Sequence, residues 1–170
     1  MNETELVRAA SGGDRAAFCE LYDMYRMRLY RYAFYKLGSR EDAEDAVSSC
    51  ILSAWQEIGE IKESKAFPAW IFRILRASCA KILKEKIGRK DDLSEDALES
   101  VKASEEDPDT RLILMEALGT LSPESREMVL LSAVAGLSSK EIGDLYDMPA
   151  GTVRSRISRS MSDMRQVLEK

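Results

Sequence analysis

One run in the last third of the chain limits its folding options more than any other. It reads Leu137-Ser138-Ser139-Lys140-Glu141-Ile142-Gly143 and then, after a short gap, Met148-Pro149-Ala150-Gly151-Thr152-Val153-Arg154-Ser155-Arg156. Two helical patterns flank a tight turn. Ser138 is a good N-cap, and Glu141 completes a capping box. Ile142 and Leu145 supply the buried side of the first helix, and Gly143 is small where the two helices must cross. Asp147 falls at the reversal, and Asp tolerates positive φ better than most residues. Pro149 suits the start of the second helix, where a missing N–H costs nothing. Val153, Ile157, Met161, Met164 and Leu168 then form one apolar stripe. Thr152, Arg154, Ser155, Arg156, Ser158 and Arg159 fall on the opposite arc, which carries no acid until Asp163. The pattern is that of a helix-turn-helix whose second helix meets a DNA groove, set against the plainer reading of a solvated amphipathic helix.

The rest of the chain repeats helical periodicity and shows no strand pattern or internal repeat. The spacing predicts a short helix over Glu3–Ala10 and a long one over Arg15–Leu37, with Phe18, Leu21, Tyr22, Tyr25, Leu29, Tyr32 and Ala33 on its apolar face. Gly38 stops it, and Ser39 caps a further helix to about Ile58 that buries Ala43, Val47, Cys50 and Ala54. Pro68 starts another, ending near Gly88, with Ile71, Ile74, Leu75, Ser78 and Ile82 on one arc. Arg73, Arg76, Lys81 and Lys84 lie on a second arc with Trp70 at its border. A basic stripe beside an aromatic suits a nucleic-acid strand with an exposed base, although charge runs are common on solvated faces. Past a break, Arg111–Leu118 reads as a helix, and Ser122-Pro123 caps the next, which carries Met128, Val129, Leu131 and Val134 and stops at Gly136. The expected fold is all-α: two small helical domains, 1–88 and 110–170, joined by a linker over 89–109.

Charge sharpens this division. Residues 1–88 carry 14 basic and 13 acidic side chains, 89–109 carry 3 and 9, and 110–170 carry 8 and 8. The net charge of −5 therefore resides in the linker, and neither end is basic enough to hold bare duplex tightly at physiological salt. A partner that supplies most of the positive surface removes the difficulty. There is no histidine, no Gly-rich phosphate loop and no nucleophile in a recognisable setting, so an enzyme is the weakest expectation. No metal-ligand spacing and no cofactor motif is present. Cys19, Cys50 and Cys79 sit among apolar positions and read as small buried hydrophobes. No run approaches the ~20 apolar residues of a membrane span, and the acidic N-terminus is no signal peptide, so a cytoplasmic protein with no direct membrane insertion is expected.

Three runs now converge. The first is Arg40-Glu41-Asp42-Ala43-Glu44-Asp45-Ala46-Val47 with Ala54-Trp55. The second is Phe67-Pro68-Ala69-Trp70-Ile71-Phe72-Arg73-Ile74. The third runs from Leu121-Ser122-Pro123 through Gly136-Leu137-Ser138 to Gly151-Thr152-Val153-Arg154-Ser155-Arg156. In this order the chain resembles the extracytoplasmic-function (group 4) sigma factors of bacterial RNA polymerase, within the sigma-70 family. The resemblance covers nearly everything except the linker. It implies a region 2-like helical bundle over 1–88 and a region 4-like helix-turn-helix domain over 110–170.

The resemblance also implies roles. Core polymerase, through its β′ clamp helices and β flap, would be the partner. The clamp contact would fall on the helix holding Asp45, Val47, Ser48, Ile51, Leu52 and Trp55. The family often has Gln-Glu and an aromatic after the Asp-Ala-Val run, where this chain has Ser48-Ser49-Cys50-Ile51. The minus-ten element of promoter DNA would be opened by the loop before the helix at Pro68 and by that helix's basic face. Lys62, Ser64, Trp70, Arg73, Arg76 and Lys81 are the candidates there. Ala77 and Lys81 stand where the family commonly has Asn and Asp. Unstacking a base costs a few kcal/mol, offset by its pocket and by phosphate contacts. The minus-thirty-five element would be read by Thr152, Arg154, Ser155, Arg156, Ser158 and Arg159. An anti-sigma factor, often membrane-bound in this family, would restrain the protein in a stress or envelope response. The alternative is a stand-alone helix-turn-helix regulator on operator DNA; it leaves the Asp-Ala-Glu-Asp run and the basic-aromatic helix without a purpose. A degenerate sigma that binds polymerase without reading promoters ranks third.

Overall fold

The computed structural model describes residues 1–89 and 107–169. The linker expected over 89–109 falls largely outside the described residues. Its last part is helical, since Asp107 caps a helix that begins at Pro108.

Among the described residues there are eight α-helices and no strand. They are α1 (Glu3–Ser11), α2 (Arg15–Leu37), α3 (Arg40–Glu57), α4 (Phe67–Arg89), α5 (Pro108–Gly119), α6 (Pro123–Val129), α7 (Ser139–Tyr146) and α8 (Ala150–Leu168). Single 3-10 turns at Ile58–Glu60 and Ser64–Ala66 bend the chain between α3 and α4. Local chemistry sets most of these boundaries. Asn2 and Glu5 form a capping box on α1, and Asp14, Ser39 and Ser122 accept backbone N–H bonds at the starts of α2, α3 and α6. Gly38 ends α2 at φ 73°, a left-handed conformation that glycine adopts without penalty.

α2 is the central helix, packed against α1, α3 and α4. It buries Leu21, Tyr25, Leu29, Tyr32 and Phe34 almost completely, more than one apolar stripe could supply, because it is covered on several sides. Aromatic pairs tie it to its neighbours: Phe18 with Trp55 (5.1 Å between ring centroids), Tyr25 with Phe67 (5.2 Å) and Tyr32 with Phe72 (5.9 Å). The arc that α4 buries is centred on Ile71, Phe72, Leu75 and Cys79. Ile74, Ser78 and Ile82, expected on that arc, are half-buried at its edge. Cys50 and Cys79 are core residues as expected, whereas Cys19 is exposed. Cys19 follows Phe18, but one residue is about 100° of rotation, and that step takes it to the solvent side of α2.

In the C-terminal half, α6 runs into a π-helical turn at Leu130–Val134. The wider turn shifts the apolar face, so Leu130, Leu131 and Ala135 are all buried. Arg126 donates to the carbonyls of Leu118 (2.9 Å) and Leu121 (3.2 Å), satisfying the end of α5. The two halves share one continuous core. α2 touches the π turn, α4 touches α7, and Arg111 lies over the Phe34 ring at 4.5 Å.

Candidate nucleic-acid interface

The helix-turn-helix is built as its local chemistry dictates. Ser138 and Glu141 close the capping box on α7. Asp147 takes a left-handed conformation (φ 54°, ψ 51°) at the reversal. Gly143 lies against the turn, where an added Cβ would stand 2.5 Å from the Met148 carbonyl oxygen. These features set the angle at which α8 leaves. Pro149 stands at the N-cap position of α8, just outside its first turn, and its side chain makes no capping hydrogen bond. Val153 and Met164 are buried beneath α8, and Ile157 and Met161 are half-buried. Ser160 is buried with them, while Leu168, expected on the stripe, is 43% exposed. Val167 packs on the core at that end instead.

Thr152, Arg154, Ser155, Ser158 and Arg159 are exposed on the open arc of α8. Arg156 is placed differently. It sits at the border of the buried stripe, and its guanidinium meets Glu124 at the start of α6, 2.5 Å away.

The second candidate surface combines α4 with the loop before it. Arg73 and Lys81 are exposed, Lys62 is exposed on the loop, and Ser64 is half-buried. Trp70 is half-buried and its ring lies 5.8 Å from that of buried Phe67, so one face rests on the core while the rest reaches the surface. A cleft of about 670 Å³ opens here between Lys62, Trp70 and Arg73 on one side and Lys140, Asp144 and Leu145 of α7 on the other.

Arg76 does not join the exposed face. Its Nε donates to Glu127 of α6, and its guanidinium lies 4.9 Å from the centre of the Tyr146 ring on α7. One helical turn past Phe72, Arg76 is at the edge of the buried arc and is covered by the other half of the chain. Glu127 also accepts from the Tyr32 hydroxyl (3.0 Å) and Lys36 Nζ (3.2 Å), both on α2. Burial alone would raise the Glu127 pKa; the adjacent Lys36 and Arg76 charges outweigh it and hold the carboxylate below its ordinary value. Burial and the Glu127 charge together push the Tyr32 and Tyr146 phenols upward. Nothing local in the sequence marks Tyr32, Lys36 and Glu127 as a group, because Glu127 is 91 and 95 residues from its α2 partners.

The α3 candidates divide by register. Asp45, Ser48 and Leu52 form an exposed strip, with Leu52 67% exposed. Ile51 and Trp55 are half-buried. Val47 is a core residue, 6% exposed, and so lies off that strip.

Comparison with known proteins places the chain in a family. The Sigma-70 region 2 family matches residues 21–86, and the Sigma-70 region 4 family matches residues 111–164. The chain is 29% identical to the ECF RNA polymerase sigma factor BldN of Streptomyces coelicolor, over 96% of this chain and 65% of that protein. It is 27% identical to SigM of Mycobacterium tuberculosis, an ECF RNA polymerase sigma factor, over 98% of this chain and 85% of that one. Its fold is similar to that of CnrH, solved in complex with the cytosolic domain of CnrY, with a TM-score of 0.73, 22% identity, and coverage of 98% of this chain and 97% of that one. The chain thus belongs to the sigma-70 family, in its extracytoplasmic-function branch.

Proposed function

We propose that the chain binds bacterial core RNA polymerase in the cytoplasm and directs it to promoters, which it helps to open. The observation that carries this reading is the open arc of α8, where Thr152, Arg154, Ser155, Ser158 and Arg159 are exposed on a helix fixed at Gly143 and Asp147. A helix held this way enters a major groove, where arginine reads guanine O6 and N7. Residues 110–170 would read the minus-thirty-five element. Residues 1–88 would hold the separated minus-ten strand along Lys62, Ser64, Arg73 and Lys81, with Trp70 offering a stacking edge. The exposed strip Asp45, Ser48 and Leu52 would meet the β′ clamp helices, flanked by Ile51 and Trp55, and the β flap would take the C-terminal half. The net charge of −5 supports a division of labour in which polymerase supplies the positive channel. Restraint by an anti-sigma factor in a stress or envelope response, which the resemblance to the family implies, completes the reading.

Reconstitution with core polymerase, followed by sequencing of transcript starts, tests the proposal. Starts clustered behind a shared minus-thirty-five and minus-ten pair are expected. Random starts, combined with tight sequence-specific duplex binding by the isolated chain at physiological salt, would assign the protein to the stand-alone regulators.

A further inference from the structure

Three hydrogen-bond donors from two helices of the N-terminal half converge on one carboxylate of the C-terminal half. Lys36 and Tyr32 stand one turn apart on α2, Arg76 reaches in from α4, and all three meet Glu127. The charged side chains are largely shielded, at 19% exposure for Lys36, 24% for Arg76 and 15% for Glu127. Two cations around a single carboxylate is one more cation than neutrality needs. A carboxylate and a phosphodiester carry the same single negative charge and present the same pair of accepting oxygens, so one can replace the other without changing the local charge.

We propose that Tyr32, Lys36 and Arg76 form a phosphodiester site for single-stranded DNA, and that in the free chain the Glu127 carboxylate fills it. The site rests on the reading of α4 as a strand-holding helix, and it lies where that reading needs it. Arg76 follows Trp70 and Arg73 along α4; those two line the cleft shared with α7, and Arg76, one turn on, lies against Glu127 and the Tyr146 ring. Occupation by Glu127 and by a phosphate are mutually exclusive. The packing that joins the two halves is therefore in direct competition with strand binding. Because such coupling is reciprocal, whatever separates the halves raises affinity for the strand, and the strand favours separation by the same factor.

The test uses the full chain, a fluorescein-labelled oligothymidine and anisotropy at fixed salt. Glu127→Gln removes the competing charge and keeps the side-chain shape. It is expected to bind the oligonucleotide about 5- to 150-fold tighter than the parent, the usual range of such couplings. Lys36→Met and Arg76→Met, each added to Glu127→Gln, are expected to abolish that gain. Unchanged affinity in Glu127→Gln, or a gain that survives both additions, overturns the site. A second measurement needs no variant: saturating oligonucleotide should speed amide hydrogen exchange in the parent across Pro123–Val134, and unchanged exchange there with oligonucleotide bound also overturns it. Run-off transcription with core polymerase separates the two ideas. Promoter-specific transcripts from the parent without any oligonucleotide gain in Glu127→Gln remove this site and keep the sigma reading. An oligonucleotide gain without transcripts keeps the site and removes that reading.

Discussion

Arg156 on α8 is ion-paired to Glu124, 2.5 Å away at the start of α6. Both side chains are close to half exposed, at 42% and 47%, so the pair stabilises the fold by no more than about 1 kcal/mol. Glu124→Gln is expected to leave thermal stability nearly unchanged and to release Arg156 toward the groove, so that holoenzyme binds promoter duplex more tightly. Arg154→Ala and Arg159→Ala, by contrast, should each lose about 1–3 kcal/mol of discrimination where the residue meets a base edge. Filter binding to matched and mismatched minus-thirty-five sequences at one salt concentration checks all three. Weaker duplex binding by Glu124→Gln would show that the ion pair positions α8 rather than withholding Arg156.

The crossing of α7 and α8 leaves no room at Gly143. A Cβ there would press on the Met148 carbonyl oxygen, which is backbone and has little freedom to retreat. Gly143→Ala is expected to destabilise the protein by about 3 kcal/mol, the upper end of ordinary overpacking. At the neighbouring left-handed position, Asp147→Val should cost about 1–2 kcal/mol, whereas Asp147→Gly should cost nothing. Urea unfolding of the three variants gives the order directly.

Arg73 makes no ion pair among the described residues and is exposed on α4, so its loss should touch function alone. Arg73→Ala is expected to keep the parent's melting temperature and affinity for core polymerase while reducing permanganate-reactive thymines in the holoenzyme–promoter complex. Trp70 rests one face on Phe67. Trp70→Ala should therefore lower both thermal stability and strand opening. Normal opening in both variants would reduce the α4 stripe to a solvated surface.

Acid should loosen the contact between the halves. The folded-state pKa of Glu127 is held below the ordinary 4.5, so the folded chain gives up this proton more readily than the unfolded one. The stabilisation is fully present above about 4.5 and is lost as pH falls below it toward the depressed folded value. Chemical denaturation from pH 6 downward should show an acid-side loss that is shallower in Glu127→Gln. Identical acid limbs in the two proteins would mean that other carboxylates dominate.

The three cysteines should report the core chemically. Burial raises the Cys50 and Cys79 thiols to about 12, and both are enclosed, while Cys19 is exposed. Iodoacetamide at neutral pH should add a single carbamidomethyl group to the native protein, at Cys19. A second adduct under native conditions would mean that α3 or α4 opens on the time scale of labelling.

What could be seen in the sequence is what neighbours a few residues apart determine. Ser138 with Glu141, Gly143, Asp147 and the αL glycine after α2 all act within a turn of themselves, and each stands where its local chemistry puts it. The burial of Arg76 depends on Glu127, 51 residues away, and no periodicity carries that information. The α4 arc was legible only to within about one residue, because Phe72 and Ile74 are both apolar and only packing against α2 decides between them. The π turn at Leu130–Val134 inserts an offset that a constant 3.6-residue period cannot express. Leu168 kept the period but lies at the very end of α8, where half its surface neighbourhood is gone.

The position of α2 at the centre has a further consequence. Phe34 is fully enclosed in the closed chain, roofed by Arg111 of α5, and Met115 lies 3.6 Å from where a Cβ on Gly38 would be. In the opening proposed above, α5 would leave with the C-terminal half, stripping Arg111 from the Phe34 ring and baring Met115 on the departing side. A chain caught between shut and engaged would thus be adhesive toward its own copies or any apolar surface nearby. Hand-over from one partner to the next, rather than free diffusion, would keep both faces covered.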